Sequence, residues 1–314
     1  MEWMYPKRLQ PGMTIGFLSL HHSSSCTSEA IEIIEQICKV RGYSILMNQS
    51  LQKYDGIHVV KQAEQFQYMM TTAPCDAVIV WEDIDADFRF LDYLDYERIR
   101  SYGKGFVSHG RCTALHMAIH RYSRLVTYYG PMGIDIKDNN QDLVAMLFDA
   151  LEGSLRVIEP LPEPPRGAIG TELGSGILMG GHIPTVSLLE KTPYYFDDHI
   201  LDEMILLVES NTTEIHKLDG ILQHCQEIGL FNVILGCVVG HVAHDGTNMD
   251  NNEYDVGYTA LRYMEEEREF KRIDPFVCYV STSCSGPLHT LPLGADIHFR
   301  YISNTIVFSP YTRV

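Results

Sequence analysis

Residues 14–42, TIGFLSLHHSSSCTSEAIEIIEQICKVRG, carry the reading on which the fold rests. The apolar run Thr14 to Leu20 follows the turn-forming pair Pro11-Gly12 and has the length of a strand. A polar loop, His21 to Ser28, comes next. AIEIIEQICKVRG, at 30–42, then sets apolar side chains at helical spacing and ends on glycine. The same order recurs downstream, where DAVIVW at 76–81 and GFVS at 105–108 are each followed by helical stretches. Strand and helix in alternation build a parallel sheet. In open sheets of this kind the ligand meets the loops at the carboxyl ends of the strands, so the loops starting at His21, Glu82 and Ser108 are expected to converge.

Further along, IEPLPEPPRG at 158–167 holds four prolines, which fit neither a helix interior nor a central strand. This segment is read as a linker between a first domain, 1–157, and a second, 168–314. The second half offers a glycine-rich stretch, GSGILMGGH, two apolar strands, MILLVES and NVILGCVVGH, and a tail rich in glycine and proline. No internal repeat is visible.

A chain of 314 residues with 45% hydrophobic and 21% charged residues has the composition of a globular protein. Its formal net charge of −17 repels phosphate backbones and anionic lipid headgroups, so neither nucleic acid nor a membrane surface is an expected partner. No apolar window is long enough to span a bilayer, and the opening residues lack the apolar core of a signal peptide; the expected location is the cytoplasm. The eight cysteines form no CxxC pair and read mostly as reduced core thiols. His241, His244 and Asp245 look superficially like a metal cluster, but two histidines three apart on a strand or loop need not face one way, so no metal is expected. The absence of a phosphate-binding glycine loop after the first strand argues against a nucleotide cofactor, and none is expected.

Eight segments in fixed order resemble the LD-carboxypeptidase family of serine peptidases: LQPGMTIGFLS, FLDYLDYERIRSYGKGFVS, TALH, TYYGPMG, GILMGGHI, LLEKTPY, ILLVES and PLHTLPLGA. The resemblance spans nearly the whole chain. It implies an α/β fold with a Rossmann-like N-terminal domain and a β-rich C-terminal domain, an active site between them, and commonly a homodimer. It also implies a small peptide-like or cell-wall-derived ligand.

That family carries its nucleophile in a Gly-Tyr-Ser-Asp-Ile-Thr-Ala-Leu motif, at a strand-to-helix elbow that exposes the hydroxyl. Aligned on Thr113-Ala114-Leu115, the serine falls on Gly110, the motif's glycine on Ser108, its tyrosine on His109, its aspartate on Arg111 and its isoleucine on Cys112. The family's upstream Arg-Gly-Gly, which helps form an oxyanion hole, falls on Glu82-Asp83-Ile84. Glu209 retains the place of the triad acid, whereas Cys284 stands where the catalytic histidine is expected. Ser108, two residues before the elbow position, is a weak substitute nucleophile because only one position of the turn is exposed.

Three functional readings follow. In the first, the cleft persists without serine chemistry and binds its ligand through Gly110, Asp83, Ser108, Gly181, His182 and Tyr129; His182 replaces the asparagine usual after the paired glycines, so specificity is altered. In the second, Cys284, His109 and Glu209 form a rewired thiol site for amide hydrolysis or acyl transfer, with Arg111 favouring the thiolate. A third possibility is non-hydrolytic chemistry in a biosynthetic pathway, with His109, Glu209, Arg111 and Asp83 as acid-base groups in the inherited cleft. The alternative for Cys284 is a small packing residue.

Overall fold

The computed structural model describes residues 2–21, 25–48, 59–84, 88–138, 140–155, 157–158, 169–170, 173–211, 215–242, 256–266, 276–280, 289–300 and 305–308. Cys284, His244 and Asp245 lie outside the described residues, as does nearly all of the proline-rich segment. The described chain divides into two units. The first holds residues up to Leu155 together with 289–292, and the second holds the rest.

In the first unit, strands β1 (Thr14–Leu18), β2 (Ser44–Met47), β3 (Ala77–Val80), β4 (Gly105–Ser108) and β5 (Thr127–Tyr129) pair in parallel in the order 5-4-3-1-2. A short strand, Leu291–Leu293, extends the sheet beyond β5. β3 and β4 are buried along their whole length, as strands covered on both faces must be, which is why they read as unbroken apolar runs rather than alternating ones. The chain leaves β1, returns to pair β2 on one side and then crosses to β3 on the other. Strand order therefore reverses between β1 and β3, the switch point where loops diverge and leave a crevice. Helix α1 (Ser28–Val40) starts there, and the side chain of its N-cap, Thr27, accepts a hydrogen bond from Ala30 N.

The second unit is a mixed eight-stranded sheet. At its centre, Leu173–His182, Met204–Ser210, Gly236–Val242 and Phe276–Tyr279 run parallel. Antiparallel strands Asp296–Arg300, Thr305–Phe308 and Val157–Ile158 extend one side, and Ile169–Gly170 caps the other. Every residue of Met204–Ser210 is buried. The expected α/β architecture, a Rossmann-like first domain followed by a β-rich second one, is what the chain adopts. No helix among the described residues is long and apolar enough to cross a membrane.

A chain of polar side chains runs through the core of the first unit beneath β4 and β5. Helix α4 (Thr113–Ser123) presents His116 and His120, four residues apart and so on one face, to Ser108 and Thr127. His116 Nε2 lies 3.1 Å from the Ser108 carbonyl oxygen, which can only accept, so this nitrogen carries the proton. His116 Nδ1 then accepts from the Thr127 hydroxyl at 2.7 Å, and Thr127 Oγ1 accepts from His120 Nε2 at 2.8 Å. Both imidazoles are buried and neutral. Burial pushes His116 down to about 3, aided by His109, and holds His120 well below the ordinary value.

The sign of the pH dependence follows. Unfolded imidazoles take up protons below about pH 6.5, whereas these two cannot while folded, so stability is complete above that pH and falls as the solution is acidified. Each histidine contributes a slope of up to about 1.4 kcal/mol per pH unit between pH 6.5 and its folded value. Urea unfolding from pH 7.5 to 4.5 is expected to show this decline in the wild type, with His116→Gln flattening it by roughly one proton's worth; equal slopes would contradict neutral burial.

Candidate functional site

β4 ends at Ser108, and the chain turns at once through Gly110–Cys112 into α4. Gly110 adopts φ +61°, the left-handed region that costs an L side chain strain, which is the backbone posture of a strained strand-to-helix elbow. Its N–H donates to the Tyr129 hydroxyl at 3.0 Å, and its carbonyl accepts from Thr113 Oγ1 at 2.7 Å. The turn is therefore held from both sides.

What faces Gly110 is a carboxylate. A Cβ atom placed on Gly110 would lie 2.7 Å from Asp83 Oδ2 and 2.9 Å from its Cγ, closer than real Cβ contacts come. The place a side chain would leave from is thus occupied by Asp83, which follows β3 as Gly110 follows β4. Asp83 Oδ1 accepts from Ile84 N at 2.9 Å, and Oδ2 accepts from Arg111 Nε at 3.2 Å. With both side chains partly open to solvent, this ion pair orients the two groups more than it stabilises the fold.

His109 leans the other way. Its Nε2 donates to Asp135 Oδ2 at 2.9 Å, and the same oxygen accepts from Met132 N at 2.8 Å at the start of the short helix Gly133–Ile136. Asp135 was not among the expected site residues. Its signal in the sequence is local, an acid three residues after Met132 at a helix start, and such residues are usually caps with no further role. Here the cap also fixes an imidazole.

At the switch point, Glu82 joins the loops after β1 and β3. Its Oε2 accepts from Ser25 Oγ at 2.6 Å and its Oε1 lies 3.0 Å from His21 Nε2, while Trp81 Nε1 donates to Ser25 Oγ at 3.0 Å. The convergence expected of the loops starting at His21, Glu82 and Ser108 is met by these contacts and by the Asp83–Arg111 pair.

Two residues expected to touch ligand serve the interior instead. Ser108 is fully buried, with Oγ 3.0 Å from His116 Nε2, because the pleat of β4 turns its side chain toward α4. Tyr129 is also fully buried and holds the elbow through Gly110 N–H. Cys112 is buried, and its thiol is pushed well above the ordinary value by burial and then by Asp83, the opposite of an activated thiolate. Cys284, the thiol of the rewired reading, lies outside the described residues.

The remaining expected residues belong to the second unit. Gly181 precedes His182, which pairs in register with Glu209 across two parallel strands. His182 Nε2 lies 2.9 Å from Asn211 Oδ1, an acceptor, and Nδ1 lies 2.9 Å from Thr185 Oγ1. The ring therefore carries its proton on Nε2 and accepts from the threonine hydroxyl, at the position just before the helix Ile183–Leu188. Glu209 is buried at the end of its strand. Among the described residues no group of three or more His, Cys, Asp or Glu side chains could hold a metal ion.

Comparison with known proteins matches both units. A family model described as the LD-carboxypeptidase N-terminal domain matches residues 15–130, and one described as the LD-carboxypeptidase C-terminal domain matches residues 175–299. YocD of Bacillus subtilis, a candidate carboxypeptidase, is 23% identical over 333 residues, covering 96% of this chain and 98% of the relative. A candidate carboxypeptidase of Streptomyces coelicolor is 30% identical over 259 residues, covering 76% of this chain and 78% of the relative. Among solved structures, MccF, a microcin C7 self-immunity protein, in complex with glutamyl sulfamoyl guanosine superposes with a TM-score of 0.79 at 16% identity, covering 98% of this chain and 99% of that one.

The contact between Asp83 and the elbow predicts a coupling. Gly110→Ser alone is expected to destabilise by about 1–3 kcal/mol, from left-handed strain and the clash with Asp83. Adding Asp83→Ala should recover the clash part, so a double-mutant cycle followed by urea denaturation should deviate from additivity by about 1 kcal/mol. Additive effects would mean that Asp83 does not occupy that space.

Proposed function

The chain belongs to the LD-carboxypeptidase family, and on that premise we propose that it has given up acyl-serine chemistry and binds a small peptide-like or cell-wall-derived ligand at the carboxyl edge of its first sheet. One observation carries the reading. Gly110 keeps the posture of an elbow residue, yet it has no hydroxyl, and Asp83 fills the space from which one would project. A nucleophile is worth many orders of magnitude to a triad, and no arrangement of the remaining groups restores an attack from position 110.

Engagement of the nearby N–H donors supports the same reading. Acyl transfer needs N–H groups aimed at a developing negative charge. Here Ile84 N–H is turned to Asp83 Oδ1 and Gly110 N–H to the Tyr129 hydroxyl. Binding residues on this reading are Gly110, Asp83 and Arg111 at the elbow of the first unit. The protein is taken to be a homodimer, as the family resemblance implies, and its place to be the cytoplasm, as the sequence reading expects.

A second reading retains hydrolysis or acyl transfer, with Cys284 as nucleophile, His109 as base and Glu209 as acid. It is favoured by the hydrogen bond that fixes His109 against Asp135, since an oriented imidazole is what a base requires. One experiment separates the two. Calorimetry with glutamyl sulfamoyl guanosine, followed by chromatography after prolonged incubation, is expected to show saturable binding and recovery of intact ligand. Release of free glutamate that disappears in Cys284→Ala would replace the binding reading with the thiol enzyme, and absence of binding would remove the proposed ligand class.

A further inference from the structure

We infer that Asp83 sets the specificity of this elbow and that it selects ligands presenting a protonated amine, where an LD-carboxypeptidase would receive a carbonyl. The inference rests on the reading above, that an aminoacyl or peptide-like ligand reaches the carboxyl edge of the first sheet.

The argument concerns the sign of the local field. A site that attacks a carbonyl offers a nucleophilic oxygen and, around it, N–H donors for the oxygen that becomes negative. Here the donor of the elbow residue itself is spent on Tyr129 Oη at 3.0 Å. In the place of the missing hydroxyl stands a carboxylate, whose Oδ2 lies 2.7 Å from the Cβ position of Gly110. A carbonyl oxygen brought to this point would meet two lone-pair-bearing oxygens. A donor brought there would meet a charged acceptor.

Asp83 also has capacity to spare. An ionised carboxylate can accept at about four lone-pair sites, and the contacts above engage Oδ1 with Ile84 N–H and Oδ2 with Arg111 Nε–H. Those two contacts fix the orientation of the group without exhausting it. At 23% side-chain exposure, Asp83 remains accessible to a ligand, yet is sheltered enough that a charged hydrogen bond there is less screened than on an open surface.

Ligand chemistry completes the match. In an aminoacyl group the α-ammonium nitrogen is separated from the carbonyl carbon by the α-carbon alone, so a ligand of the kind in complex with MccF presents both groups to the same part of the edge.

The test uses the full chain and two ligands of equal size, glutamyl sulfamoyl guanosine and its α-hydroxy twin, in which a neutral hydroxyl replaces the ammonium. Calorimetry on wild type and Asp83→Asn, the latter keeping an acceptor for Ile84 N–H, gives four affinities. In the wild type the ammonium ligand should bind on the order of tenfold more tightly, the worth of one hydrogen bond to a charged group. In Asp83→Asn the two should bind within about twofold of each other, since the charge is gone. If the twins bind the wild type alike, the inference is overturned while the proposed binding function stands, and this arm needs no variant to fold. If the preference survives in Asp83→Asn, discrimination lies in another residue and the inference is again overturned. If neither twin binds, the function proposal fails and takes the inference with it.

Discussion

The hydrogen bond from Gly110 N–H to the Tyr129 hydroxyl, together with the carboxylate pressed against Gly110 from the other side, is the constraint on which the candidate site depends. A backbone at φ +61° needs a residue without a Cβ or a strong reason to carry one. Gly110 meets that need, and the Asp83 carboxylate stands where its Cβ would project.

Beneath the elbow, the polar chain from Ser108 through His116 and Thr127 to His120 ties β4, α4 and β5 into one block. Its members are buried, and the carbonyl of Ser108 orders the proton on each hydrogen bond in turn. Burial keeps both imidazoles neutral, which suits a core and not an acid-base role. Ser108 and Tyr129 are for this reason supports of the turn, whereas His109, one residue further on, points outward to Asp135 and belongs to the polar edge.

That edge carries three carboxylates with a nitrogen partner each. Glu82, Asp83 and Asp135 engage His21, Arg111 and His109 respectively. Each contact fixes the orientation of a polar group at the carboxyl ends of the strands, where an open sheet of this kind meets its ligand.

Much of this was legible in the sequence. Apolar runs at 14–20, 76–81 and 105–108, each followed by helical spacing, determine a parallel α/β domain because burial on both faces leaves no room for polar alternation. Gly110, two residues past the apolar run 105–108, already stands in the sequence at the turn into the next helix. Tertiary structure decided the rest. Asp83 reaches Gly110 only because β3 and β4 pair in the register that sets Ile79 beside Val107, and register is a property of non-local pairing that no local pattern encodes. Asp135 meets His109 for the same reason, across a separation of 26 residues. Whether a polar side chain such as Ser108 serves the ligand or the core turns on the direction of one pleat, and that direction is set by what packs behind it.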